Sequence, residues 1–348
     1  AVNCMKNASS WAGIYRGGGI GDNLIASSVL PGLKKKYGNV EVITSRPCHV
    51  IFENNPYIDK LSVRDAGDPP GADAKAWQEW FRSRAKDYKF FANLSHSCET
   101  LGAFFPGQTY FWWNQNMRRK MAGRSYLELV HDICELPYDE INPNFYPTAK
   151  EHAHARKTKA KVGPKVIGWV LSGSRLDKIH PHADVAVVRL LKELKLPIIM
   201  FGSSPRDFEL AKLILKAVEK HDGSHKGLHL ALSPDPAKPT WPIRRALTQI
   251  QHCDLVIGPD TGLMWAVAMH DMPKIMTVSH ASAENITKHW KNTTTLHADP
   301  KRVPCFPCHR LNDDVSTCTP NADNTGAACI TDISVDEIVS TVKKLLKE

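Results

Sequence analysis

The chain has 348 residues, 42% hydrophobic and 23% charged, which suits an ordinary soluble globular protein of two domains rather than one core. Forty-five basic against thirty-six acidic residues leave a net charge of +9, which favours an acidic partner such as a nucleotide, an anionic lipid headgroup or nucleic acid without choosing among them. No apolar run approaches the roughly 20 residues of a membrane span, and the first residues lack the charged-then-apolar pattern of a secretion signal, so a cytoplasmic location is expected.

The first ordered signal is a short apolar segment over 11–15 that runs into Gly17-Gly18-Gly19-Ile20-Gly21-Asp22. Apolar residues at Leu24, Ile25, Val29, Leu30 and Leu33 then recur at roughly helical spacing, interrupted by Pro31 and ended by Lys34-Lys35-Lys36 and Gly38. The glycines therefore sit at a strand-to-helix turn. Glycine admits left-handed backbone and close approach of another molecule, and the amides of a helix start attract anions. Asp22 reads either as a cap of that helix or as a functional carboxylate. The spacing is not the G-x-G-x-x-G of a dinucleotide fold, and no P-loop lysine follows.

Strands over 40–44, 60–63 and 88–94 alternate with helices over 50–54 and 73–85, a pattern of parallel pairing through crossovers. A Pro/Gly loop covers 67–71. Trp77, Trp80 and Phe81 share one face of the second helix, where core packing is the plainer reading and a sugar platform the other. The aromatic stretch 104–117 has no clear period, and 125–136 is a helix. The first domain is drawn as 1–150 and the linker as 151–164, inside a polar, Pro- and Lys-rich stretch whose basic run 150–161 suits a solvated helix or a phosphate-backbone contact.

A second alternating set follows over 165–333: strands at 166–171, 197–201, 228–232, 255–257 and 274–278, with helices at 183–194, 207–220, 243–252 and 261–270. The expectation is an α/β protein of two doubly wound sheets with a cleft between them as active site. Two strand ends in the second set carry polar turns, Ser172-Gly173-Ser174-Arg175-Leu176-Asp177-Lys178 and Gly258-Pro259-Asp260-Thr261-Gly262. With the first glycine run they describe three turns suited to a diphosphate.

Gly21-Asp22-Asn23-Leu24, Asn55-Pro56-Tyr57-Ile58-Asp59, the Ser172–Lys178 turn with Pro181, and Pro259-Asp260-Thr261-Gly262-Leu263 occur in order over nearly the whole chain. This set resembles the heptosyltransferases of bacterial lipopolysaccharide synthesis, glycosyltransferase family nine. The resemblance implies a GT-B architecture of two Rossmann-like domains. It also implies an inverting mechanism without metal at the reaction centre, and a nucleotide-diphosphate sugar donor held mainly by the C-terminal half. It makes Asp22 the general base and Lys178 the cation at the donor phosphates. Gly19, Gly21, Ser172, Ser174, Asp260, Thr261 and Gly262 are the expected donor-binding residues. The acceptor would be a hydroxyl of a glycan such as lipopolysaccharide core, with an anionic membrane surface as one setting. The chain departs from the family pattern at Met264-Trp265, where Ser-His is common, and at Ile179-His180-Pro181, where a Trp usually follows the lysine.

Other readings stay open on sequence. The charge and the basic run also suit a glycosyltransferase acting on a hydroxymethylated base in DNA, or a non-catalytic nucleic-acid-binding protein. Nine cysteines are present, five of them scattered. The rest form Cys305-x2-Cys308-x9-Cys318-x10-Cys329, a spacing that suits a structural zinc, with two disulfides or free thiols as alternatives. No cofactor is expected for catalysis. A closing helix over 334–346 has Asp336 and Glu337 at its start, as the helix dipole favours.

Overall fold

The computed structural model describes residues 9–64, 74–95, 97–98, 109–173, 175–222, 226–232, 240–309, 311, 318 and 326–347. Packing divides the chain into two compact units, one built from 1–102 and 125–146, the other from 103–124 and 147–348.

In the first unit, β1 (Ser9–Arg16), β2 (Asn39–Ser45), β3 (Lys60–Arg64) and β4 (Tyr88–Asn93) form a parallel sheet in the order β3-β2-β1-β4. The strand order reverses between β1 and β4, so their carboxyl ends flank a topological switch point, where open α/β sheets place ligands. The glycine run leaves β1 there. The apolar stretch after it is two helices, α1 (Ile20–Ser27) and α2 (Leu30–Tyr37), because Pro31 falls at the first turn of a new helix, where its missing N–H costs nothing. Leu24, Ile25, Leu30 and Leu33 are fully buried or nearly so. α3 (His49–Phe52) and α6 (Tyr126–Ile133) belong to the same unit. Between them in sequence lie α4 (Ala74–Ala85) and α5 (Gln115–Ala122). α4 sets Trp77, Trp80 and Phe81 around Tyr15 with ring centroids 5.7, 5.4 and 5.3 Å away, a packed aromatic cluster rather than an open platform.

Helix α5 packs with the second unit. Asn285 donates to the carbonyls of Ala122 and, at 2.7 Å, Arg124. The stretch read as a linker is mostly α7 (Ala149–Val162), which also packs on the second unit. Thr148 and Glu151 form a reciprocal capping box at its start, Arg244 grips Glu151 through Nε at 2.6 Å, and Lys159 reaches Asp254 at 2.7 Å. A polar segment thus becomes an ordered helix because its charges find partners in the folded unit.

The second sheet contains β5 (Ile167–Val170), β6 (Ile198–Phe201), β7 (Leu228–Leu230), β8 (Leu255–Pro259), β9 (Lys274–Val278) and β10 (Thr293–His297), all parallel. Its order, β10-β9-β8-β5-β6-β7, is the Rossmann arrangement, with the switch point between β5 and β8. β10 was not expected from sequence; Thr293, Thr294 and Thr295 pair with β9 at the sheet's edge, where only one residue of the strand is buried. α8 (Ala183–Leu194), α9 (Pro205–Asp222) and α14 (Val335–Leu346) bury apolar faces in one core with this sheet, in which Ile167, Ile198, Leu255, Ile257 and Ile275 are essentially inaccessible. α10 (Ile243–Ile250) packs on α7, while α11 (Gly262–Trp265), α12 (Ala283–Ile286) and α13 (Ala328–Thr331) are single turns. The helix expected over 261–270 therefore stops after one turn. No described helix is long and apolar enough to cross a membrane.

Candidate active site

At the end of β1, Gly18 has φ +89°, a left-handed conformation that any side chain would strain, and an added methyl there would lie 2.6 Å from Asp22 Oδ2. The turn is therefore glycine because Asp22 folds back over it. The Gly19 amide donates to Asp22 Oδ2 at 2.7 Å, so Gly19 holds the carboxylate, and Gly21 is the second residue of α1. Arg16, buried on β1, lies 3.1 Å from Asp22 Oδ1 through Nη2. Asp22 thus caps the helix, as the plain reading held, and keeps 28% of its side chain open to solvent. Asn23, fully buried, donates to the Gly19 carbonyl at 2.9 Å and accepts from Thr44 at 2.8 Å, tying the glycine run to β2. Arg16 and Asn23 were not among the expected site residues. Their signal was a cation at the end of a buried strand and an amide inside the first helical turn.

In the second unit the turns after β5 and β8 meet at the switch point. Lys178 Nζ donates to Asp260 Oδ2 at 2.9 Å and to the Asp260 carbonyl at 2.7 Å, with side-chain exposures of only 11% and 14%. Gly173 must lack a side chain, since a methyl there would sit 2.6 Å from Lys178 Cδ and 3.3 Å from the Asp260 carbonyl. Burial works to raise the Asp260 pKa, but the adjacent Lys178 ammonium and the Trp265 indole N–H, 2.9 Å from Oδ1, outweigh it and hold the carboxyl below its usual range. Trp265, one of the departures from the family pattern, is thus a core residue that orients Asp260. Thr261 is the residue before α11 and Gly262 its first, and the Thr261 side chain makes no hydrogen bond to that helix start.

Ser172, an expected donor-binding residue, donates its hydroxyl to Asp207, a buried carboxylate that also accepts from the Ser203 and Ser204 amides. Ser174 lies outside the described residues. Asp177, unassigned from sequence, is buried beside Arg175 Nε at 2.9 Å and His280 Nδ1 at 3.2 Å. Burial disfavours its charge, yet His280 and Arg175 more than compensate and hold its pKa well below the carboxylate range. Both depressed carboxyls contribute stability that is full above the ordinary carboxylate pKa near 4 and drains as pH falls through their lower folded values. The apparent melting temperature should therefore fall more steeply below about pH 4 in the wild type than in Asp177→Asn. Equal slopes would show that Asp177 gives no such acid sensitivity.

All eight described cysteines are thiols, so the disulfide alternative does not hold among them. Cys305 and Cys329 pack against the same small apolar cluster of Ala298, Val303 and Phe306. Burial and then the other thiols push Cys329 up to about 12, and Cys318 is raised for similar reasons. Four cysteines within 25 residues are a donor set for a thiophilic cation, which would favour the thiolates. Among the described residues no group of three or more His, Cys, Asp or Glu is already drawn close enough to grip an ion.

The chain has the GT-B architecture, two units each built on a parallel Rossmann-like sheet. It belongs to glycosyltransferase family 9 (heptosyltransferase), whose family model matches residues 108–313. No curated protein matches the sequence. Among solved structures the chain is similar to a family 9 glycosyltransferase from Veillonella parvula, with TM-score 0.66, 14% identity, and 99% of each chain covered. It is also similar to the ADP-heptose lipopolysaccharide heptosyltransferase II of E. coli, with TM-score 0.63, 16% identity, and 97% and 98% covered. A third is the iron-containing dodecameric glycosyltransferase TibC of enterotoxigenic E. coli, with TM-score 0.62, 12% identity, and 98% of this chain and 77% of that one covered. At these identities the likeness is one of fold.

Proposed function

We propose that the enzyme transfers a sugar, a heptose or another, from a nucleotide-diphosphate donor to a hydroxyl of a glycan acceptor such as lipopolysaccharide core, with inversion and without metal at the reacting carbon. The observation that carries this reading is the Lys178–Asp260 pair across the β5/β8 switch point, with Gly173 and Thr261-Gly262 leaving backbone amides beside it. In the reaction the acceptor hydroxyl gives its proton to Asp22, its oxygen bonds to the anomeric carbon, and the bond from that carbon to the diphosphate breaks. Asp22 supplies the basic oxygen, since an alcohol is a weak nucleophile unless its proton has somewhere to go. Lys178 and the turn amides stabilise charge growing on the departing diphosphate, a role a divalent ion fills in other transferases. The direct test is a thermal-shift panel of nucleoside diphosphates and their sugars, with ADP forms first because one of the similar structures is named for ADP-heptose. A ligand at 100 times its Kd adds about 2.7 kcal/mol of stability. No shift with any nucleotide sugar at millimolar concentration would remove the reading.

The Cys305, Cys308, Cys318 and Cys329 thiols are proposed to hold a structural ion. Four thiolates would leave no open position for chemistry, and the ion would tie the segment before α14 to the second unit. Elemental analysis should find about one zinc per chain; iron in its place would match the metal named for TibC and revise the metal, not the site. Cys308→Ser is expected to lower stability far more than the turnover of the folded fraction. Metal-free protein of full stability would end the proposal.

A further inference from the structure

The basic helix α7 commits Lys159 to Asp254 and leaves a second group of charges with no such use. His154, Lys157 and Lys161 form one wall of a cavity of about 420 Å³, and His229, Trp241 and Arg245 form the other. Ile199 of β6 and Leu230 of β7 supply an apolar floor. Among the described residues no acidic side chain lines it, and no carboxylate pairs with Lys157, Lys161 or Arg245. The Arg245 guanidinium stacks on the Trp241 ring at 3.8 Å, and its Nε is buried without a hydrogen-bond partner. Three cations around one concavity repel each other, and an orphaned guanidinium N–H is costly, unless an anion joins them.

The location separates this cavity from the donor turns. Gly163, which follows α7, lies against Pro197 just before β6; an added methyl would be 2.9 Å from its Cγ. The Lys161 end of the cavity therefore sits by the amino ends of β5 and β6, whereas Ser172 and Asp260 follow the carboxyl ends of β5 and β8. Its volume is that of a small-molecule site.

We propose that this cavity binds a small molecule joining a phosphate group to a flat apolar body. Lys157, Lys161 and Arg245 take the phosphate, and Trp241 and Leu230 take the body. The test is a titration of the ¹⁵N-labelled full chain with 1-naphthyl phosphate, followed by indole N–H resonances, with Trp241→Phe and Trp265→Phe providing assignments. A saturable shift of the Trp241 signal is expected, with Trp265, which reports on the donor turn, unmoved. 1-Naphthol should produce no such shift. Lys157→Ala and Lys161→Ala, both at exposed positions, should each weaken binding about fivefold, the worth of one ion pair of about 1 kcal/mol. No saturable Trp241 shift, equal binding of naphthol, movement of Trp265 alone, or unchanged affinity in both lysine variants would each overturn the assignment.

Discussion

Asp22→Asn is expected to cut turnover by about 10² to 10⁴-fold while leaving donor affinity near normal. The amide cannot accept the acceptor's proton, yet it keeps the size of the carboxylate and an oxygen to receive the Gly19 amide, now 2.7 Å from Oδ2. Donor binding should survive because Asp22 belongs to the β1–α1 turn, while Lys178 and the Asp260 turn belong to the other unit. Steady-state rates with a labelled donor, alongside calorimetric donor binding, separate the two effects. Near-normal turnover would exclude Asp22 as base; lost donor affinity at unchanged rate under saturation would make it a binding residue instead.

Lys178→Ala should weaken the donor diphosphate and slow transfer by about 10² to 10³-fold, the usual scale for removing one preorganised stabilising group at developing charge. The structure adds a second consequence. Lys178 is the ammonium beside a nearly buried Asp260, so its loss leaves that carboxylate with the Trp265 indole as its side-chain donor. Such an orphaned group costs about 1–3 kcal/mol or more, and the melting temperature should fall with it. Donor affinity is therefore to be read on the folded fraction, beside Lys178→Arg, which keeps the charge and should keep more of the stability than of the rate, because the planar fork replaces a point donor. Unchanged donor affinity and unchanged rate in Lys178→Ala would make the lysine purely structural.

Much of this was legible in the chain. The alternation of short apolar runs with amphipathic stretches, punctuated by glycine and proline, defines local elements, and two such series imply two parallel sheets. The polar turns at strand ends were visible for the same reason: Gly17 to Asp22, Ser172 to Lys178 and Pro259 to Gly262 are contiguous, so their chemistry needs no long-range partner to be noticed.

Other features depend on contacts that sequence distance hides. Asp260 is 82 positions from Lys178, and only the order β10-β9-β8-β5-β6-β7 brings their turns side by side. The partner of the Ser172 hydroxyl, Asp207 on α9, lies 35 positions away. Trp265 read as an oddity beside the donor turn; burial against Trp290, with centroids 4.8 Å apart, makes it the support of Asp260. The basic run of α7 suited a solvated helix on sequence; what sequence distance hid is that its partners Arg244 and Asp254 lie 93 and 95 positions downstream of Glu151 and Lys159.

The sequence by itself determined that this chain builds two Rossmann-like halves and where polar, glycine-containing turns follow their strands, because helix and strand periods and glycine turns are local properties. Tertiary structure decided which polar groups in those turns are free and which are spent. A hydrogen bond or an ion pair depends on a partner's position to within an ångström, and in parallel sheets that partner arrives by a crossover whose placement no local pattern records.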